Sequence, residues 1–93
     1  MNKKRTHVEI MNDILGVIKN KNGKIKPTHI LYQSNLSHKM MNEYLKELTE
    51  KYLLIEQKLE KGKTYSLTPR GFQFLEKYEV ISNFTSSFGL NYN

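Results

Sequence analysis

Apolar residues in the first part of the chain recur with the period of an α-helix. Residues 6–9 (THVE) have the form of a capping box, in which Thr6 and Glu9 each accept a hydrogen bond from the other's backbone N–H. One helical face then collects the apolar residues Ile10, Met11, Ile14, Leu15 and Ile18. Residues 19–23 (KNKNG) end this helix, with Gly23 suited to the C-terminal cap. Residues 24–26 (KIK) are too few for more than a strand fragment.

Two further helices are predicted before residue 52. Pro27 suits the first turn of a short helix carrying Ile30 and Leu31, and Asn35 suits its end. Ser37 is a favourable N-cap for a third helix. That helix has one apolar face up to about Lys51, formed by Met41, Tyr44, Leu45 and Leu48. Two helices joined by so short a turn form a helix-turn-helix.

The apolar period then changes from helical to two, which is typical of strands. We expect Ile55, Gln57 and Leu59 to share one face of a strand, and Tyr65 and Leu67 one face of a returning strand after a turn at 60–63 (EKGK). A fourth helix begins at residues 68–69 (TP) and runs to residue 88. The predicted fold class is mainly α with a small β-hairpin, in the order α-β-α-α-β-β-α of a winged helix-turn-helix.

The length of 93 residues fits one domain with one core, spanning 1–93. Within it we distinguish a basic arm (1–5), a winged helix-turn-helix core (6–68), a C-terminal helix (69–88) and a tail (89–93). The composition, 38% hydrophobic and 26% charged, is that of a soluble globular protein. The sequence contains neither a bilayer-spanning apolar run nor the apolar stretch of a signal peptide, so we expect a cytoplasmic, nucleoid-associated protein.

The net charge of +6 is concentrated near the N-terminus. Residues 1–26 hold seven basic and two acidic side chains, a net charge of +5, whereas the remaining residues hold eight basic and seven acidic side chains. Such asymmetry favours a polyanionic partner, nucleic acid or an anionic membrane surface. The alternative is a solvated basic end that only keeps a small protein soluble.

The third helix has two flanks of opposite charge beside its apolar face. One flank carries Lys39, Asn42 and Lys46, and the other carries Glu43, Glu47 and Glu50. The first half of this helix suits the major groove of DNA, where an amide such as that of Asn42 can pair with adenine. The alternative is an ordinary surface helix with weak Glu–Lys pairs.

Two other basic segments flank this helix in the sequence. They are the arm at 2–5 (NKKR) and the hairpin, whose glycine turn keeps its tip slim. We therefore predict that phosphates are contacted by the arm, the strand fragment and the hairpin, and bases by the third helix. The predicted DNA-contacting residues are Lys3, Lys4, Arg5, Lys24, Lys26, Ser37, His38, Lys39, Asn42, Lys46, Lys58, Lys61 and Lys63.

Three stretches resemble the small archaeal winged-helix DNA-binding proteins of the ten-kilodalton chromatin and regulator type. They are residues 4–15 (KRTHVEIMNDIL), 29–48 (HILYQSNLSHKMMNEYLKEL) and 63–78 (KTYSLTPRGFQFLEKY). The resemblance implies a winged helix with a C-terminal dimerising helix. One departure stands at residues 50–55 (EKYLLI), where Tyr52 replaces the glycine common in these proteins. A tyrosine in the left-handed conformation is uncommon, so either the third helix ends differently or Tyr52 has a compensating contact.

The last helix is longer than one small domain can cover. We predict a symmetric homodimer through its apolar end, which would otherwise be an exposed patch: Tyr78, Ile81, Phe84 and Phe88. The alternative is that the helix ends near Asn83 and a loose tail follows.

No catalytic or metal-binding pattern is present in the sequence. His7, His29 and His38 fall on different predicted helices without metal-ligand spacing, and no cysteine can supply a thiolate. We therefore expect a cofactor-free, non-enzymatic, dimeric protein that binds double-stranded DNA with sequence preference, as a transcriptional regulator. The alternatives are a non-specific architectural protein, a protein-interaction module, or an RNA-binding protein.

Overall fold

The computed structural model describes residues 5–21 and 25–90. Four helices and one antiparallel hairpin follow one another along the chain as α1 (His7–Asn20), α2 (Pro27–Ser34), α3 (His38–Glu50), β1 (Leu54–Lys58), β2 (Lys63–Leu67) and α4 (Pro69–Ser87). The predicted winged-helix order is confirmed. The strand fragment before α2 is a single bridging residue, Ile25, whose N–H and C=O both pair with Tyr65 of β2. None of the described helices is both long and apolar enough to cross a bilayer.

The core is built around α1. Its capping box is present, since the Glu9 N–H donates to Thr6 Oγ1 over 3.1 Å and the Thr6 N–H donates to the Glu9 carboxylate over 2.7 Å. The five apolar residues predicted on one face of this helix are all buried: Ile10, Met11, Ile14, Leu15 and Ile18. The hydrophobic period of α1 therefore sets the centre of the fold.

The helix-turn-helix is made by α2 and α3. Asn35 ends α2 in the left-handed conformation, at φ 56°, and its N–H donates to the Leu31 carbonyl. Ser37 then caps α3 by accepting from the Met40 N–H over 3.1 Å. Met41, Leu45 and Leu48 of α3 are buried in the core. This packing fixes which face of α3 is left outside.

The end of α3 resolves the question raised by Tyr52. Tyr52 has φ 61°, its N–H donates to Thr49 O, and the N–H of Leu53 donates to Leu48 O. These two bonds form a Schellman motif with its accompanying contact between two buried leucines. The helix thus ends as it would with glycine, although a tyrosine occupies the left-handed position.

The hairpin pairs Leu54 with Leu67 and Lys58 with Lys63. Ile55 and Gln57 share a face of β1 as the alternation predicts, but it is the exposed face. Leu53 and Leu54, at the junction of α3 and β1, are buried in the core instead.

The fourth helix starts on the domain and extends beyond it. Thr68 caps α4 by accepting from the Gly71 N–H, and Gly71 itself is buried against the backbone of Leu53. A Cβ at this position would collide with the Leu53 carbonyl oxygen, so only glycine permits so close an approach. The helix continues to Ser87 and ends at Gly89, φ 66°, rather than near Asn83.

Candidate nucleic-acid interface

The outward face of α3 carries most of the predicted base-contacting residues. His38, Lys39, Asn42 and Lys46 are exposed, because the opposite face is held in the core by Leu45 and its neighbours. The Ser37 hydroxyl oxygen already accepts the N-cap hydrogen bond from Met40, so its proton and one lone pair are left for a ligand. The first half of α3 therefore presents an amide and a lysine side by side to solvent.

One glutamate of α3 is turned toward the body of the domain. The Glu47 carboxylate lies 2.9–3.0 Å from the ring nitrogen Nε2 of His7 and 2.8 Å from the Lys51 ammonium. The hydrogen bond from His7, followed by that from Lys51, holds the pKa of Glu47 below its ordinary value. Glu43 and Glu50 are exposed on the acidic flank of α3 that the helical pattern predicts.

The hairpin forms a wing with a cationic tip. Leu59 donates from its N–H to Gly62 O over 2.9 Å, and Gly62 has φ 94°, which closes the turn around Lys61. Lys58 and Lys61 are exposed. Because Lys58 and Lys63 are directly cross-strand partners, their like charges lie on the same end of the wing.

A carboxylate at the base of the wing holds one of these cations. Glu56 accepts from the Tyr65 hydroxyl over 2.8 Å and lies 3.1 Å from the Lys63 ammonium. These two hydrogen bonds lower the pKa of Glu56, and the bond to Glu56 raises the pKa of Lys63. This cluster is not evident in the sequence, since it depends on the register that puts Glu56 opposite Tyr65.

A groove separates α3 from the wing and joins these features. It has a volume of about 420 Å³ and is lined by both helix and hairpin, with Asn42, Lys46, Thr49, Glu50, Glu56 and Lys63 among its walls. Lys26 is exposed at the N-terminus of α2, one residue from the bridge that joins Ile25 to the wing strand. Lys46 of α3 and Lys63 of the wing therefore border the same groove.

The arrangement of these elements has known counterparts. A model of winged helix-turn-helix domains matches residues 4–86 of the chain. The chain belongs to the winged helix-turn-helix family. The predicted resemblance to small archaeal members is confirmed by Sso10a-2, a DNA-binding protein from Sulfolobus solfataricus. That structure is 25% identical with a TM-score of 0.73, over 91% of this chain and 90% of that one.

Two other proteins are similar to this chain over most of its length. F93 from STIV, a winged-helix DNA-binding protein, is 20% identical with a TM-score of 0.67, over 88% of this chain and 92% of that one. An uncharacterized protein of Methanocaldococcus jannaschii is 37% identical over 79 residues, which is 84% of this chain. The chain spans only 34% of the length of that relative.

In this winged helix-turn-helix domain, Arg5 is the one residue of the predicted arm that the structure describes, and its side chain makes contacts within the domain. The Arg5 guanidinium lies 2.7 Å from the Asp13 carboxylate and donates to the carbonyls of Ser34 and Asn35 over 2.9 and 3.3 Å. It thereby ties α1 to the end of α2, and its contact with DNA stays a prediction. Lys3, Lys4 and Lys24 lie outside the described residues.

The apolar end of α4 is exposed, with one exception to the prediction. Ile81, Phe84 and Phe88 are open to solvent, and Phe88 retains 66% of its accessible surface. Tyr78 is instead half-buried against its own domain, 6.4 Å from the ring of Phe74, and burial raises its pKa. Val80 and Leu90, which were not among the predicted interface residues, are also exposed on this part of the chain.

Proposed function

We propose that this protein is a dimeric, sequence-preferring double-stranded DNA-binding protein that acts as a transcriptional regulator. The observation that carries the proposal is the position of Asn42 and Lys46, which are exposed on α3 and border the groove shared with the wing. A helix in the major groove would bring an amide to base edges and its neighbouring cations to phosphates. The DNA-binding relatives named above support this assignment.

The proposed contacts divide into two classes. His38, Lys39 and Asn42 approach bases from the first half of α3. Lys26, Lys46, Lys58 and Lys61 neutralise phosphates, because all four are exposed and none has an ion-pairing partner within residues 5–21 and 25–90. Lys63 can join them only by sharing or leaving the Glu56 carboxylate, so its contribution should be smaller.

The proposed dimer forms through the exposed end of α4. Four neighbouring apolar side chains, Val80, Ile81, Phe84 and Phe88, project from it into solvent. A patch of this kind marks an interface, and a two-fold symmetric contact would place two α3 helices on one duplex. Light scattering should give twice the chain mass at tens of micromolar, and a monomer at that concentration would exclude the dimer.

Selection of bound sequences from a pool of random duplexes tests sequence preference. The unmodified chain should enrich a defined site, and Asn42→Ala should flatten the preference at one base pair by about 1–3 kcal/mol. The matched control is Lys61→Ala, a variant expected to weaken all sequences alike. Binding without any enriched site would instead favour an architectural role.

If the unmodified chain bound no duplex at all, the result would favour the alternative of a protein-interaction module. In that case the exposed apolar end of α4 would be the binding site for a different protein, and no DNA contact would be needed to explain it. Titration with single-stranded and hairpin RNA distinguishes the RNA-binding alternative, for which Asn42→Ala should have no effect.

A further inference from the structure

A second groove, which we call the α1–α4 groove, is bordered by α1, the end of α3 and the first half of α4. Its volume of about 450 Å³ lies in the range of sites that hold small molecules, roughly 300–1,000 Å³. It shares no lining residue with the groove between α3 and the wing. The α1–α4 groove is therefore a separate feature that the proposed DNA contacts do not use.

The walls of the α1–α4 groove are largely apolar. Val8, Met11, Leu53 and Phe74 all line it. Met11 and Leu53 are buried, Phe74 is partly buried against the core, and Val8 keeps 47% of its surface exposed. A phenyl ring and a thioether both pack favourably on a flat aromatic ring. These walls suit the body of an aromatic molecule.

Cations border the same groove. Lys51, Arg70 and Lys77 line it together with a single carboxylate, that of Glu47. His7 and Lys51 already hold this carboxylate. Arg70 and Lys77 form no ion pair within the part of the chain that the structure describes. The groove therefore has an excess of positive charge, which favours an anionic ligand.

Arg70 is oriented by the end of α3. Its Nε donates to the carbonyl of Lys51, the residue that caps α3, over 3.0 Å. A guanidinium has five N–H donors, so its two terminal nitrogens can still donate when Nε is bonded. Those two nitrogens form the fork that binds a carboxylate through two parallel hydrogen bonds. Arg70 is thus the residue best placed to receive a carboxylate.

The spacing of residues on α4 gives the size of the ligand. Arg70, Phe74 and Lys77 follow one another at four and three residues, which puts them on one face of the helix. Phe74 lies about 6 Å along the helix from Arg70, a distance comparable with the length of a two-ring aromatic acid. Helical side chains lean toward the N-terminus, so Lys77 reaches back toward Phe74 and supplies a second cation.

We propose that the α1–α4 groove binds a small aromatic monocarboxylate. The carboxylate lies on the Arg70 guanidinium, and the aromatic body packs against Phe74 and Met11. This inference goes beyond the proposed function and does not depend on it, because the ligand is bound without any DNA.

Methionine methyl groups report where such a ligand binds. The chain has four methionines, of which Met11 lies in the groove wall and Met40 is exposed on α3 outside it. In protein labelled with ¹³C at these methyl groups, titration with 2-naphthoate at constant ionic strength should move the Met11 signal saturably, because aromatic rings shift nearby nuclei. The Met40 signal should stay in place. A Met11 signal that does not move at millimolar ligand, or that moves only together with Met40, would overturn the proposal.

Three compounds test the chemistry of recognition by displacement of 2-naphthoate. The neutral 2-naphthamide has the same rings without the charge and should bind about tenfold more weakly. The saturated decahydro-2-naphthoate keeps the carboxylate and loses the aromatic rings, so it should also bind more weakly. Inorganic phosphate at the same concentration should not compete. Equal binding of the amide, equal binding of the saturated acid, or displacement by phosphate would each contradict an aromatic carboxylate site.

Variants of the chain locate the anion. Arg70→Gln should weaken 2-naphthoate binding by about tenfold, whereas Lys61→Gln removes the same charge from the wing and should leave it unchanged. Because Arg70 also contacts the end of α3, Val8→Glu provides an independent test. Val8 is exposed in the first turn of α1, where a carboxylate suits the helix, so the thermal midpoint should be retained. Its charge should abolish the Met11 shift, and unchanged affinity in either groove variant would refute the site.

Discussion

Tyr52 is one of two described non-glycine residues with a positive φ. It occupies the left-handed position of the Schellman motif that ends α3, while its ring remains 76% exposed. Its carbonyl accepts from the Thr68 hydroxyl, which fastens this turn to the start of α4. The backbone contacts of Tyr52 therefore matter more to the fold than its side chain.

Replacing Tyr52 with glycine should stabilise the protein. The left-handed conformation costs a non-glycine residue about 1–2 kcal/mol, and glycine gives back part of the gain through its more flexible unfolded state. We expect Tyr52→Gly to raise the free energy of unfolding by about 0.5–1 kcal/mol in urea denaturation. Asn35→Gly, at φ 56°, is the matched control and should gain less, because asparagine tolerates this region. A loss of stability in Tyr52→Gly would show that the tyrosine ring stabilises the turn.

Arg5 provides a test of structural against DNA-binding roles. Its guanidinium has three hydrogen-bonding partners from α1 and the end of α2. Arg5→Gln should lower the free energy of unfolding by about 1–2 kcal/mol, because it removes charged hydrogen bonds from a partly buried site. The salt dependence of DNA binding should remain unchanged.

Lys26→Gln is the corresponding control for Arg5→Gln. Lys26 is exposed at the start of α2 and has no side-chain partner among residues 5–21 and 25–90. Its loss should reduce the salt slope by about 1 per contact and leave stability unchanged. If Arg5→Gln instead reduced the salt slope and left stability unchanged, while Lys26→Gln lowered stability, Arg5 would belong to the DNA-binding arm predicted from the sequence.

At the scale of elements, two glycines in helices have opposite roles. Gly71 brings α4 against the backbone of Leu53, where a Cβ has no room. Gly16 lies within α1, and a Cβ there would meet nothing within 4 Å. The first glycine is required by packing, whereas the second only lowers the helical stability of α1.

Gly71→Ala and Gly16→Ala should therefore change stability in opposite directions. We expect Gly71→Ala to cost about 1–3 kcal/mol through displacement of α4 from Leu53. Gly16→Ala should raise the free energy of unfolding by about 0.5–1 kcal/mol through helix propensity. Thermal and urea unfolding of both variants measure this, and two changes of the same sign would contradict the packing described for α4.

Helices were predictable from the sequence because their caps and their apolar period act locally. Thr6, Ser37 and Thr68 all cap as their residue types indicate. The buried face of β1 and the Glu56–Tyr65 contact were not predictable, since they depend on how the two strands pair and pack against the helices. Local patterns determine elements, whereas contacts between elements require the packed structure.

The candidate site shows the same division. The exposed positions of Lys39, Asn42 and Lys46 follow from the apolar period of α3 alone. The internal contacts of Arg5 and the partial burial of Tyr78 did not follow from the sequence, because both depend on residues distant along the chain. A basic or aromatic residue near an end of the chain gives no local indication of such contacts.

At the scale of the whole molecule, the proposed recognition face and the proposed dimer contact lie on different elements. The cations Lys26, Lys39, Lys46, Lys58 and Lys61 are distributed over α2, α3 and the wing, whereas the unpartnered apolar residues are on α4. This separation allows one protein to hold a second copy and a duplex together. It also makes phosphate neutralisation the property that most directly tests the function.

The decisive measurement is a fluorescence-anisotropy titration of a labelled, mixed-sequence duplex from low to physiological salt. If a dimer makes some six to nine phosphate contacts, the logarithm of the binding constant should fall with the logarithm of salt concentration with a slope of about −5 to −8. Lys58→Gln/Lys61→Gln should make that slope shallower. No binding at micromolar protein in low salt would contradict the account, and the basic face would then be only a solvated surface.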